Sequence, residues 1–240
     1  MVTTTCYRPR TCHPSKQTQR TRGFQGVPDL ELYLDGIERH HFGGTCYANN
    51  SHLHGLLLSL GYETKLCGAN MSNSDVHLVC VVTIDGREYL VDVGYAAPFR
   101  EPMPRDLPKD YTIEHGNDRY VLRPQDANGC SRLNMYRGGV LKHGYLATPK
   151  ARELTEFDSP IADSYGEDAT FMNSLLLARY TDERSVVIHN LTVTVTESRT
   201  PTRTVTWTLG GRGDLAPLVS ERFGIPVDVT DAVVDSMSRI

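Results

Sequence analysis

Apolar residues recur along this chain at two different periods, and the change from one to the other marks out its elements. In residues 46–60, Leu53, Leu56, Leu57 and Leu60 fall at i, i+3, i+4 and i+7, the spacing of one buried helix face. Thr45 stands before this run as a candidate N-cap, and Gly61 follows as a stop. Residues 29–41, DLELYLDGIERHH, alternate at roughly helical spacing around Gly36 and predict a shorter helix. In VHLVCVVTIDGREYLVDVG, residues 76–94, two β-rich runs flank Asp85-Gly86, a strong type I′ hairpin signal. Prolines at 98, 102, 104 and 108 then block continuation of the sheet. Residues 111–123 and 130–145 predict further strands, with a turn or bulge at Gly138-Gly139, and residues 149–168 predict loop. Residues 171–180 fit a strand or a short helix. VVIHNLTVTVTE and RTVTWTL predict paired strands around Pro201, and residues 215–224 a helix ending near Gly224.

The hairpin has a chemical consequence. A two-residue turn at Asp85-Gly86 makes Ile84 face Arg87, so facing positions sum to 171 and Val79 faces Asp92. Side chains two apart share a face, so His77 and Asp92 point the same way. They are diagonal neighbours, roughly 7–8 Å apart at the backbone, within reach of a hydrogen bond between side chains. Cys46 is predicted at the first helical position, seven residues before Leu53 on the same stripe. Free N–H groups and the positive end of the helix dipole there favour the nucleophilic thiolate. Gly43 and Gly44 permit close backbone approach of a bound group. The bland alternative is a small, buried, structural thiol. Cys46, His77 and Asp92 together have the composition of a nucleophilic triad: thiol, imidazole base and orienting carboxylate.

Composition narrows the field. The chain has 240 residues, 39% hydrophobic and 22% charged, ordinary for a globular protein with a sizeable core. Its net charge of −4 argues against a dedicated nucleic-acid binder, and no apolar run is long enough to span a bilayer. Residues 1–28 carry Arg8, Arg10, Lys16, Arg20 and Arg22 with no acid, and read as a basic tail or an organellar targeting segment. Six cysteines, at 6, 12, 46, 67, 80 and 130, form no C-x-x-C pair, so free thiols in a reducing, cytoplasmic setting and no metal are expected. Cys6, Cys12 and His13 are the one weak metal candidate. His52 and His54 face apart on their helix, and His40 and His41 sit where a helix end favours cations. No phosphate-binding glycine loop is present.

GGTCYANN, then DVHLVC, then IDGREYLVDVGY together resemble the arylamine N-acetyltransferase family. LAPLVSERFGIP is similar to that family's closing helix, and FMNSLLLARYTDERSVVIHNLTVTV to its second β region. The resemblance covers roughly residues 27–230. It implies an α+β fold with a cysteine-protease-like core: an N-terminal helical part, a β-barrel middle and an α/β lid. The expected segments are a mobile tail 1–26, a helical subdomain 27–62, a barrel-like subdomain 63–150 and a lid 151–240. The resemblance also implies ping-pong transfer of an acetyl group from acetyl-CoA, as co-substrate, through Cys46 to an arylamine, an arylhydrazine or an N-hydroxyarylamine. His77 would be base and Asp92 orienter. Asn73 and Ser74 would lie near CoA, and Val76, Tyr95 and Phe99 would line the acceptor pocket. No resident cofactor, nucleic acid or membrane partner is implied. The family's motif has Arg and Glu where this chain has Phe42 and Ala48, while Asn50 is retained. Two rival readings stand beside this one: a Cys–His–Asp amide synthase or transglutaminase-like enzyme with another acyl donor, and a catalytically degenerate homologue.

Overall fold

The computed structural model describes residues 10–12, 26–197 and 202–237. Most of the basic segment, with Cys6 and His13, and the Pro201 turn lie outside the described residues. The chain divides into two compact units, residues 46–160 and residues 1–45 with 161–240.

In the first of these, helix α2 (Cys46–Ser59) precedes strands β2 (Glu63–Asn70), β3 (His77–Ile84), β4 (Arg87–Val91), β5 (Met103–Pro104), β6 (Tyr111–His115), β7 (Asp118–Leu122), β8 (Ser131–Arg137) and β9 (Val140–Ala151). Their antiparallel order is β5-β4-β3-β2-β9-β8-β7-β6. The sheet curls: residues from both of its ends share one core, with Met103 of β5 and Tyr111 and Ile113 of β6 packing on the same cluster. Phe99 meets Tyr120 edge-on at 5.4 Å. The expected barrel-like middle is therefore present. The hairpin register is as the turn dictates, with Ile84 opposite Arg87 and Cys80 opposite Val91. Asp85 and Gly86 have φ of 50° and 75°, the left-handed pair of a type I′ turn.

Strand β3 is buried over its first six residues. Val79 and Val81 face the barrel core, while α2 covers the other side: Asn50 Nδ2 donates to Leu78 O at 2.6 Å, and the Cys80 thiol donates to Asn50 O at 3.3 Å. Burial on both faces explains the unbroken apolar run in the sequence. It also overturns one expectation about α2. The leucine stripe is not its buried face: Leu56 and Leu60 are 55% and 64% exposed, and Leu53 and Leu57 are half-buried. What α2 buries is its first turn, Tyr47, Ala48, Asn49 and Asn50. The stripe gave the right period, but packing on β3 is decided by small and amide side chains near the helix start.

A buried arginine ties the curl together. The Arg105 side chain, 1% exposed, forms an ion pair with Glu88 of β4. It also donates to Ser131 Oγ at 2.9 Å and Gly129 O at 2.5 Å. β4 and the start of β8 are not neighbours in the sheet, so this one side chain links strands that backbone pairing leaves apart. Residues 149–168, expected as loop, instead continue β9 to Ala151 and then form a 3-10 turn (Leu154–Phe157) and helix α3 (Asp158–Asp163). The Glu153–Glu156 capping box nucleates that turn.

The other unit holds α1 (Leu30–His40), capped by Asp29, whose carboxylate accepts from Leu32 N at 2.8 Å. Strands β1 (Arg10–Cys12), β10 (Leu176–Tyr180), β11 (Arg184–His189), β12 (Thr192–Glu197) and β13 (Arg203–Thr208) form an antiparallel sheet in that order. Within the expected tail, Arg10–Cys12 thus pairs with Leu177–Arg179, giving the outer edge of β10 backbone partners. Residues 171–180 contain both alternatives, the short helix α4 (Thr170–Asn173) and then β10. The run 186–197 is not one strand. It turns at Asn190, whose φ is 52°, and β11 and β12 are its two arms. Leu177, Val186, Ile188 and Val193 pack with Phe42 and with helices α5 (Leu215–Phe223) and α6 (Val227–Ser236). Helix α6 was not expected.

Arg105→Ala leaves Ser131 Oγ and Gly129 O without their donor and Glu88 with Lys65 as its remaining cation. It is expected to destabilise the protein by about 1–3 kcal/mol, read as a lower urea midpoint. A loss well under 1 kcal/mol would mean that Arg105 does not hold the curl.

Candidate active site

The site is built where the first turn of α2 meets the open end of the β3–β4 hairpin. Asp92, one residue past β4, is fully desolvated at its side chain. It is not short of donors. Oδ1 accepts from Asn50 Nδ2 at 3.0 Å, Gly94 N at 2.9 Å and Tyr95 N at 3.1 Å. Oδ2 lies 2.8 Å from His77 Nε2. Burial alone would raise the Asp92 pKa; the charge of His77 and these hydrogen bonds outweigh it and hold the carboxyl below its ordinary value. The diagonal His77–Asp92 pairing anticipated from the turn is thus present.

His77 is equally enclosed, 3% exposed. Burial pushes its pKa down, but the charge of Asp92, the nearby Cys46 and the hydrogen bond to Asp92 raise it to about 10. Nε2 is committed to Asp92, which leaves Nδ1 for the thiol side. The ring packs against Tyr145 at 4.9 Å and edge-on to Tyr95 at 5.6 Å. The Tyr145 hydroxyl is buried without a hydrogen-bond partner of good geometry, beside the His77–Asp92 pair.

Cys46 is the first residue of α2, half-buried and in the free thiol form. Its Sγ points at the carbonyl of Val76, 3.9 Å away. The structure therefore brings Cys46, His77 and Asp92 together, drawn from a helix start, a strand start and a strand end. Asn50 secures the arrangement. Besides Asp92 it binds Leu78 O, and its Oδ1 accepts from Val93 N at 3.0 Å, so one amide pins α2 to both hairpin strands. Its retained motif position was the only sign of this in the sequence.

The other expected site residues fall into two places. Tyr95 and Phe99 are in the barrel core, stacked at 6.0 Å with rings 2° from parallel. Tyr95 also hydrogen-bonds His143. Val76 is half-buried and faces the thiol through its carbonyl. Asn73 and Ser74 are exposed, in a turn closed by Met71 N donating to Asn73 O at 3.1 Å. No group of three or more His, Cys, Asp or Glu suited to a metal occurs among the described residues.

Gly94 is essential to this geometry. A Cβ there would sit 2.3 Å from Cys46 Cα and 2.8 Å from Asn50 Nδ2, so any side chain drives α2 off the hairpin. Gly94→Ala is expected to cost about 1–3 kcal/mol in urea unfolding and to slow iodoacetamide labelling of Cys46; unchanged values for both would refute the close-packing account. The pair also predicts a pH signature. Asp92, with its pKa held below 3.8 in the fold, stabilises above about pH 4 and loses that contribution as pH falls. His77, raised from 6.5 to about 10, stabilises fully below pH 6.5 and loses that contribution as pH rises toward 10. The stability gap between wild type and Asp92→Asn should be widest between these limits and narrow on the alkaline side. Thermal melts across pH check this, and a gap that widens with pH would contradict it.

Comparison with known proteins agrees with this architecture. A family model described as N-acetyltransferase matches residues 29–233. Arylamine N-acetyltransferase 1 of Oryctolagus cuniculus is 36% identical over 154 residues, covering 55% of this chain and 53% of that protein. Proansamycin X synthase of Amycolatopsis mediterranei is 41% identical over 69 residues, 25% of this chain and 26% of its own length. The chain spans about half or less of the length of the curated relatives it matches. Among solved structures, the Mycobacterium marinum arylamine N-acetyltransferase in complex with CoA superposes with a TM-score of 0.75 at 18% identity, over 95% of this chain and 86% of that one. No helix among the described residues is long and apolar enough to cross a membrane. With the family model matching from α1 into α6 and the fold shared along nearly the whole chain, this protein belongs to the arylamine N-acetyltransferase family.

Proposed function

We propose that the protein transfers an acetyl group from acetyl-CoA to an arylamine or arylhydrazine nitrogen, or to the oxygen of an N-hydroxyarylamine, through a thioester on Cys46. The observation that carries this reading is the clustering of the free Cys46 at the start of α2, its Sγ 3.9 Å from the carbonyl of the residue before His77, with a His77 ring clamped by Asp92 on one nitrogen. His77 takes the thiol proton, and Asp92 fixes the ring and stabilises the imidazolium. The Cys46 thiolate attacks the acetyl carbonyl of acetyl-CoA. CoA leaves as the thiol, carrying the proton from His77. The acceptor amine then attacks the thioester, its proton passes to His77, and from there returns to the Cys46 sulfur as the acetylated amine departs.

Asn73 and Ser74, exposed in the turn before His77, are assigned to contacts with the co-substrate. Val76, Tyr95 and Phe99 are assigned to the acceptor pocket, where the stacked aromatic pair suits a flat ring. Acetyl-CoA acts as co-substrate and no resident group is required. A nucleophile of this kind works only as a reduced thiol, which suits the cytoplasm.

A second reading keeps the same residues and changes the acyl donor, giving a synthase that forms an amide from another thioester. The 41% identity to Proansamycin X synthase favours keeping it in view. One experiment separates the two. Incubation with acetyl-CoA and no acceptor should add about 42 Da, one acetyl group, to the wild type and nothing to Cys46→Ala. Addition of an arylamine should clear the adduct. A folded protein that stays unmodified would rule out the acetyl-CoA reading, and an adduct formed only with other thioesters would establish the synthase.

A further inference from the structure

Residues 71–76 connect β2 to His77 and carry the carbonyl that meets the Cys46 thiol. Asp75 stands in this loop with φ of 57°, in the left-handed region that non-glycine residues avoid and that Asp and Asn tolerate best. Several interactions converge on it. Its N–H donates to Asn70 Oδ1 at 2.9 Å, and its carbonyl accepts from the Tyr47 hydroxyl at 2.9 Å. Its carboxylate accepts from Arg152 at 2.7 Å. That carboxylate also fills the space a side chain on Gly68 would need, since a Cβ there would lie 2.3 Å from Asp75 Oδ1. Arg152 is itself held before it meets Asp75. It donates to the Glu156 carboxylate at 3.2 Å and the Glu156 carbonyl at 3.1 Å, and its guanidinium lies 4.3 Å from the centre of the buried Phe157 ring.

We propose that the Arg152–Asp75 ion pair is a positioning device for the thiol–imidazole pair, holding the loop so that Val76 O and His77 meet Cys46 in register. This rests on the reading of Cys46 as the nucleophile. The logic is mechanical. A left-handed aspartate persists only where its surroundings over-determine it. The next residue supplies the carbonyl facing Sγ, and the one after it supplies the imidazole. Without Arg152, the carboxylate in the Gly68 cradle loses its cation and the loop can relax to an extended backbone. Because the pair is only 18% and 26% exposed, water and salt replace it poorly. Neither residue touches a reacting atom, so both act through Val76 and His77.

The test reads the thiol directly and needs no acetyl-CoA, so its outcome is separable from that of the acetylation experiment. Alkylation of Cys46 by iodoacetamide is followed by peptide mass mapping from pH 5 to about 10 for wild type, Arg152→Met, Arg152→Lys and Asp75→Asn. Arg152→Met keeps an apolar stem over Phe157, and Asp75→Asn is isosteric and tolerates positive φ, so a folded comparison is secured. We expect the Met and Asn variants to react on the order of tenfold more slowly at neutral pH, with an altered pH profile. Lys should recover most of the rate. Wild-type rates and profiles in both folded variants would overturn the proposal. So would a slowed Arg152→Met that Lys does not improve, because that would make the role one of packing over Phe157.

Discussion

Everything at this site depends on one buried carboxylate being kept ionised. Asp92 has no water to solvate its charge, so the fold supplies four donors in water's place: an amide from the helix, two backbone N–H groups from the bend after β4, and the imidazole. Each donor fixes a different piece of chain. Asn50 brings α2, the Gly94 and Tyr95 amides fix the turn after the strand, and His77 fixes the start of β3. An uncompensated charge in such a place would cost far more than any one of these hydrogen bonds contributes by itself. The solvation of Asp92 and the alignment of the three side chains are therefore one requirement met by one set of bonds.

That requirement explains which parts of the structure were readable in the sequence. The His77–Asp92 pairing follows from Asp85-Gly86 and the two-residue period, because hairpin register is local. The start of α2 at Cys46 is equally local. The curl of the sheet and the Arg105 link are not, because they join residues far apart in sequence and leave no periodic trace. Asn50 shows the intermediate case. Its motif position marked it, but only the fold reveals that a single amide serves two carbonyl or carboxylate acceptors and one donor. The pairing of Arg152 with Asp75 left no trace in the sequence, the two being 77 residues apart.

The misread leucine stripe of α2 has a physical lesson. Periodicity identifies a helix because side chains repeat every 3.6 residues, but burial is decided by what the helix lies against. Here the packing is concentrated in the first turn, which must come close enough for a backbone approach at Gly94. The side chains that meet Gly94 there are the small Cys46 and the amide of Asn50. The departures Phe42 and Ala48 fit the same picture of local packing: Phe42 fills the core of its own unit, and Ala48 is 6% exposed.

The unit boundary at Cys46 has a consequence for how such a protein can change over evolutionary time. The thiol, the imidazole, the carboxylate, the amide that anchors them and the Arg152–Asp75 ion pair all belong to one uninterrupted stretch, residues 46–160. Their bonds to one another are closed within that stretch. The cluster is thus assembled from a single stretch of chain, and changes in length or sequence before and after that stretch leave both partners of each of these bonds in place. A lineage can in this way keep these contacts while the remainder of the polypeptide is renewed around them.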